Sequence, residues 1–190
     1  MANAIEIEAK SLVSEEDYRK LVRAFAAYPS YSQTNYYIDS DARELAKDGI
    51  ALRVREKNGS YELTLKTPLS EGLLEKNCVI SRDQFIDFRD NKVFPKGDTS
   101  RFLTMLGINI EDLHILTALT TNRIDVEYKG GVLSIDKNTY LGETDYEVEF
   151  EYNSLTGAKA IMKDLFEANG IPVVFSEISK TQRAMKALGK

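Results

Sequence analysis

The segment Ala51-Leu52-Arg53-Val54-Arg55-Glu56-Lys57-Asn58-Gly59-Ser60-Tyr61-Glu62-Leu63-Thr64-Leu65-Lys66-Thr67 reads as two strands joined by Asn-Gly, the strongest short hairpin signal a sequence carries. A two-residue loop fixes the register. Arg55 then lies opposite Glu62 and Arg53 opposite Thr64, with Lys66 continuing that face, while Leu52, Val54, Leu63 and Leu65 share the other. One face is apolar and the other is charged.

The same division recurs along the chain. The opening Glu6-Ile7-Glu8-Ala9-Lys10 puts Glu6, Glu8 and Lys10 on one side of a strand and Ile5, Ile7 and Ala9 on the other. Asp145 to Tyr152 alternates Glu147, Glu149 and Glu151 with Tyr146, Val148, Phe150 and Tyr152. Thr34 to Asp39 reads as a strand carrying Tyr36 and Tyr37, and Leu73 to Ile80 as one carrying Glu75. A second hairpin, Arg123 to Tyr128 and Val132 to Lys137, flanks Gly130-Gly131; in two-residue register Asp125 faces Asp136 and Glu127 faces Ser134. Opposed aspartates repel, so this pairing implies a bound cation, a shared proton or a different register.

Amphipathic helices punctuate these strands. Ser14-Glu15-Glu16-Asp17 is a capped helix start followed by Tyr18, Leu21, Val22 and Phe25 at helical spacing, and Pro29 ends it. Asp41 to Lys47 predicts a short helix closed by Gly49. Ser81 to Asp90, with a capping box at Ser81 and Gln84, and Thr99 to Leu106 predict two more, joined through Pro95 and Gly97. Ser154 to Ala168 buries Ala158, Ile161, Met162, Leu165 and Phe166, and Ser176 to Leu188 places Lys180 and Arg183 one turn apart.

Composition narrows the function classes. At 190 residues and 43% apolar, the chain supports a sizeable core in one domain, 1–190. There is no apolar run of membrane-spanning length and no signal-like N-terminus, which predicts a soluble cytoplasmic protein with no membrane partner. Cys78 is the single cysteine, so neither a disulfide nor a thiolate metal cage forms within the chain. The net charge of −5 argues against nucleic-acid binding driven by overall positive charge. His114, the single histidine, reads as structural, and Lys76, Arg82, Arg101 and Lys137 read as solvated surface charges.

Charged faces that pointed outward would mix their signs. Here Arg53, Arg55 and Lys66 occupy one hairpin and Glu147, Glu149 and Glu151 one strand. Closing the antiparallel sheet into a barrel puts these faces inside, and unpaired buried charge is too costly for a packed core. The interior is then a wet cavity for a charged ligand. Arg and Lys suit phosphate oxygens, carboxylates suit Mg²⁺ or Mn²⁺, and the two together suit a metal-bound polyphosphate.

Glu6-x-Glu8-x-Lys10, Asn35-Tyr36-Tyr37-Ile38-Asp39, Leu52-Arg53-x-Arg55, Leu63-Thr64-Leu65-Lys66 and Glu147-x-Glu149-x-Glu151, in this order, resemble the CYTH superfamily of triphosphate tunnel metalloenzymes, most closely its short single-domain forms from Gram-positive bacteria. The resemblance spans nearly the whole chain. It implies an α+β fold with a closed or nearly closed eight-stranded antiparallel barrel and helices packed outside. It implies that Lys10, Arg53, Arg55, Lys66, Arg123 and Lys180 bind phosphate and that Glu6, Glu8, Asp136, Glu147 and Glu149 hold Mg²⁺ or Mn²⁺. Glu62, Glu75 and Glu151 are supporting carboxylates, each matched to an arginine or lysine, and Lys10 and Tyr37 are the catalytic candidates, either of them assisting if surrounding cations lower its pKa.

The function so implied is a metal-dependent triphosphatase acting on inorganic triphosphate or a small organic triphosphate, in the manner of thiamine triphosphatase. Two alternatives stand beside it. One is an adenylate cyclase of the class IV type, which forms cyclic AMP from ATP in the same tunnel. The other is a non-catalytic binder of polyphosphate or nucleoside triphosphates. Monomer and homodimer both remain open.

Overall fold

The computed structural model describes residues 2–68 and 73–189, with side chains from residue 7 and, after the gap, from residue 74. In chain order the elements are β1 (Ala2–Glu6), β2 (Glu8–Val13), α1 (Glu15–Ala24), β3 (Ser30–Asp39), α2 (Glu44–Lys47), β4 (Ala51–Lys57), β5 (Ser60–Pro68) and β6 (Leu73–Ile80). There follow α3 (Arg82–Asn91), α4 (Asp98–Met105), β7 (His114–Tyr128), β8 (Gly131–Tyr140), β9 (Glu143–Glu151), α5 (Leu155–Ala168) and α6 (Lys180–Leu188). The fold is α+β with antiparallel strand pairing, as expected.

The described residues divide into two compact units, those within 2–6, 34–119 and 184–189 in the first, and Ile7–Gln33 and Thr120–Arg183 in the second. In the first, β1 pairs with β6, β6 with β5, β5 with β4, and β4 with the second half of β3. The Asn58-Gly59 hairpin has the predicted register, Arg55 opposite Glu62 and Arg53 opposite Thr64. Its turn carries positive φ at both loop residues, 51° at Asn58 and 75° at Gly59. That is the mirror-image turn whose twist suits flanking strands.

The apolar face of this hairpin, Leu52, Val54, Leu63 and Leu65, packs with Phe85 and Phe88 of α3 and Leu103 of α4. Each such side chain contributes roughly 1.5–3 kcal/mol on burial. Tyr36 belongs to this side, its ring 4.8 Å from that of Phe85. Tyr37 pairs with Arg53 and so takes the opposite, charged side.

In the second unit β7 pairs with β8, β8 with β9, and β9 with β2. Ala9, Val126, Leu133, Ile135, Val148 and Phe150 form a core with Leu21 of α1 and Met162, Leu165 and Phe166 of α5. Ser14 caps α1 by accepting from Asp17 N at 3.1 Å, and Ser154 caps α5 by accepting from Gly157 N at 3.3 Å.

One expectation is refined and one corrected. The expected eight strands are present, with the opening one interrupted at Ile7, so that nine segments, β1 to β9, occur among the described residues. β1 takes β6 as its partner and β2 takes β9; Ile7 O accepts from Tyr152 N at 3.0 Å at the change. The second hairpin turns at Lys129-Gly130, with φ of 45° and 81°, so Asp125 faces Ser134, Glu127 faces Val132, and Asp136 faces Arg123. Packing explains the shift: a Cβ on Gly131 would lie 2.4 Å from Glu151 O and 2.7 Å from the Phe150 ring. Gly131 is needed within the strand, where the backbone passes close to β9, and the turn moves to the residues before it.

Candidate active site

In the second unit β8 and β9 bring their acids together. Asp136 faces Glu147 across the pair, and Glu149 lies two residues further along the same face of β9. Oxygens of Asp136, Glu147 and Glu149 all fall within 4.8 Å of one another. Asp136 and Glu147 are wholly buried. Such a group exists only with compensation, and three cations supply it.

Lys180, at the start of α6, sets its Nζ 2.9 Å from Asp136, 2.5 Å from Glu147 and 2.6 Å from Glu149. Arg123 forks onto Asp136, with Nε donating at 2.7 Å and an Nη at 2.6 Å, and also donates to Glu149 at 2.6 Å. Arg183, one turn beyond Lys180, donates to both oxygens of Glu147 at 3.1 and 2.9 Å and to Asp145 at 2.8 Å. Lys10 pairs with Glu8 at 2.6 Å and stands opposite Glu149 in the β2–β9 register.

These neighbours set the charge states. Burial alone would raise the Glu149 pKa, but Lys180, Arg123 and Lys10 hold it well below the usual carboxylate range. Burial works against the Lys180 ammonium, and Glu149, Asp136 and Glu147 more than reverse that, raising its pKa. Lys10 behaves alike: burial opposes its charge, Glu8, Glu149 and Glu147 outweigh it, and the pKa rises. The lowered Lys10 pKa expected for a base is therefore corrected, because its near neighbours are acids.

In the first unit the charged face of β4 and β5 holds Arg53, Arg55, Glu62, Thr64 and Lys66. Arg55 Nε donates to Asn35 at 3.1 Å. Lys66 pairs with Glu75 at 3.0 Å; Asn77 donates to the other Glu75 oxygen at 2.7 Å and accepts from Thr64 at 2.7 Å. Burial pushes the Glu75 carboxyl up, and Lys66, Asn77 and Arg53 bring it below its ordinary value. Arg53 Nε is buried and, among the described residues, finds no hydrogen-bond partner. Tyr37 is 1% exposed.

The predicted residues are thus gathered in each unit by itself. Arg53, Arg55, Lys66, Glu62, Glu75 and Tyr37 share the face of one sheet region, and Lys10, Glu8, Arg123, Asp136, Glu147, Glu149 and Lys180 that of the other. Glu151 is exposed at the end of β9, opposite Val132 on one side and Glu8 on the other. The backbone of Glu6 pairs with Leu73, and its side chain lies outside the described residues. His114 accepts the structural reading, its Nδ1 3.1 Å from Asp112 O and its Nε2 3.1 Å from Asp41.

The family description "CYTH domain" matches residues 4–185. The chain belongs to the CYTH family. Within it, the chain is 32% identical over 174 residues, 90% of either sequence, to "Putative triphosphatase YjbK" of Bacillus subtilis strain 168. A "putative adenylate cyclase" from Bacillus halodurans superposes with a TM-score of 0.88 at 35% identity, covering 96% of this chain and 98% of that one. HpAC1 from Hippeastrum, a "putative adenylyl cyclase" described as having a dominant triphosphatase activity, reaches 0.79 over 96% of either chain; at 23% identity that likeness concerns the fold.

Asp145 and Arg183 join this candidate cluster through their contacts with each other and with Glu147, and motif reasoning did not assign them. The available signal was the one-turn spacing of Lys180 and Arg183 on α6 and the position of Asp145 on the Glu147 face of β9.

The donor set suits a divalent metal. It is made of hard carboxylate oxygens, and it already surrounds a cationic nitrogen. Asp136, Glu147 and Glu149 are the residues that would hold the ion.

Proposed function

We propose that this CYTH chain is a metal-dependent triphosphatase that hydrolyses inorganic triphosphate or a small organic triphosphate, thiamine triphosphate among them. The observation that carries the reading is the convergence of Asp136, Glu147 and Glu149 around one cation position, on a chain related to a protein named for triphosphatase activity. The finer reading extends to a single cytoplasmic domain with Mg²⁺ or Mn²⁺ held by the carboxylates and supported by Glu8 and Glu6.

In this reading the phosphate-binding cations are Arg53, Arg55 and Lys66 in the first unit and Lys10, Arg123 and Lys180 in the second. Water attacks the terminal phosphorus, the phosphoanhydride bond breaks, and phosphate and the shortened phosphate leave, with the proton of water released to solvent. The guanidinium and ammonium groups neutralise charge spread over the transferred group and the leaving oxygen. Burial opposes the Lys10 charge and Glu8 and Glu149 outweigh it, so in this reading its ammonium serves as a phosphate contact. Tyr37, on the Arg53 side of β3, orients the water or a phosphate oxygen. The metal, when bound, supplies Lewis-acid polarisation of phosphate oxygens.

Adenylate cyclase activity is the second reading, favoured by the 35% identity to the B. halodurans protein. Incubation with inorganic triphosphate and with ATP, each with Mg²⁺ or Mn²⁺, separates them. Metal-dependent phosphate release from triphosphate is expected. Cyclic AMP and diphosphate formed from ATP, without phosphate release from either substrate, would contradict the hydrolase; tight binding without turnover would leave a binder.

A further inference from the structure

We propose that Arg183 is a positioning residue: its guanidinium, anchored on Asp145, fixes the Glu147 carboxylate in the orientation in which it holds the metal. The inference rests on the metal reading above and adds a residue that the phosphate and metal motifs do not include.

The geometry is that of a fork held at both ends. Nε donates to Asp145 Oδ2 at 2.8 Å, while the two terminal nitrogens donate to Glu147 Oε1 at 3.1 Å and Oε2 at 2.9 Å. One of those nitrogens also donates to Ile178 O at 3.1 Å, tying the guanidinium to the segment before α6. Asp145 is itself held: Tyr140 OH donates to it at 2.8 Å and Asn138 Nδ2 at 2.9 Å, and Thr121 donates to Asn138 at 2.7 Å. The Tyr140 pKa, pushed up to about 12 by burial and Asp145, keeps that donor protonated.

A chain of directed hydrogen bonds therefore runs from β7 through β8 and β9 to a wholly buried carboxylate of the cluster. Each carboxylate oxygen has two acceptor directions: Oε2 meets Arg183 and, at 2.5 Å, the Lys180 ammonium, so the direction that Lys180 holds and the second direction of Oε1 are those a cation would use. Partners of this kind orient metal ligands, and their loss commonly costs 10–100-fold in affinity or activity. Charge alone does not explain the arrangement. Lys180 Nζ meets Glu147 at Oε2, 2.5 Å away, whereas Arg183 donates to both Glu147 oxygens through separate nitrogens while its Nε holds Asp145, a planar arrangement that a point-charge ammonium does not fix.

Arg183→Lys tests this, because it keeps the charge and removes the fork. Mn²⁺ affinity is measured by calorimetry on the protein without substrate, beside Glu147→Gln, Asp145→Asn and the surface control Arg19→Lys. The expected result is a folded Arg183→Lys protein whose Mn²⁺ Kd rises about tenfold or more, with kcat for triphosphate falling while KM changes little, and a smaller shift in the same direction for Asp145→Asn. Arg19→Lys, on an exposed pair with Glu15, is expected to leave both unchanged. A native Kd in Arg183→Lys, with Glu147→Gln unable to bind, overturns the positioning role and leaves the metal reading standing. Native Mn²⁺ binding by Glu147→Gln, or none by the unaltered protein, overturns both. If Arg183→Lys does not fold, Asp145→Asn decides by the same criterion.

Discussion

The basic hairpin of β4 and β5 and the acidic strands β8 and β9 both bury charge, yet they differ in what balances it. In the hairpin, Arg53 keeps a buried Nε without a hydrogen-bond partner among the described residues. In β8 and β9, Asp136, Glu147 and Glu149 are met by Lys180, Arg123 and Arg183 at 2.5–3.1 Å. An unpaired buried donor costs about 1–3 kcal/mol, and a chain that bears this cost at Arg53 is suited to an external acceptor. The acids instead carry their counter-cations within the chain, and in the metal reading a bound ion would share these carboxylates with Lys180.

The largest break of this contrast is Glu147→Gln. It removes one charge from a coupled set, and we expect Mn²⁺ binding to fall by about 100-fold and turnover to fall with it. Unaltered metal affinity would show that the acids serve only Lys180 and Arg183. Arg53→Ala tests the other side. It is expected to raise KM for triphosphate by at least about tenfold, through loss of a charge-assisted contact, with little fall in Tm; steady-state kinetics and a melting curve check this, and a large Tm loss with unchanged KM would assign Arg53 to stability.

Two glycines sharpen the comparison of the hairpins. Gly131→Ala forces a Cβ against Glu151 O and Phe150, and overpacking of this kind costs about 1–3 kcal/mol. Gly59→Ala meets nothing within 4 Å and bears only its φ of 75°, about 1–2 kcal/mol. Denaturant titration should rank Gly131→Ala as the more harmful, and the reverse order would contradict the assigned turn at Lys129-Gly130.

The smallest expected effect is in acid. Glu75 and Glu149 have folded-state pKa values below the ordinary 4.5. Groups depressed on folding contribute stability that is fully present above 4.5 and is lost as pH falls through the folded values. Glu75→Gln and Glu149→Gln are each expected to flatten the fall in stability below pH 4.5, followed by denaturant titration across pH. An acid limb as steep in either variant as in the unaltered protein would contradict the pairing of that carboxylate.

The legible and illegible parts of the sequence follow from how local the deciding physics is. Asn58-Gly59 carries its own turn geometry, so the first hairpin and its register could be read directly. Gly130 and Gly131 are equal candidates for a turn until Phe150 and Glu151 come into contact with Gly131, and that contact is a tertiary fact. The break at Ile7 is equally silent, because the side-chain alternation continues while the hydrogen-bond partner changes from β6 to β9. β7 is longer than the predicted Arg123 to Tyr128 because Thr117 and Thr121 are buried beside Leu119, which hides the usual apolar alternation. At the site, the family motifs supplied the phosphate and metal candidates. The anchoring of Arg183 on Asp145 and Glu147 joins residues 36 and 38 positions apart, which no local motif contains.

The most direct test of the account is phosphate release from inorganic triphosphate followed across a Mn²⁺ titration, for the unaltered protein and Glu147→Gln side by side. The account predicts release that rises with Mn²⁺, stops with chelator and is nearly lost in Glu147→Gln. Release that is independent of metal, or equal in the two proteins, would contradict it.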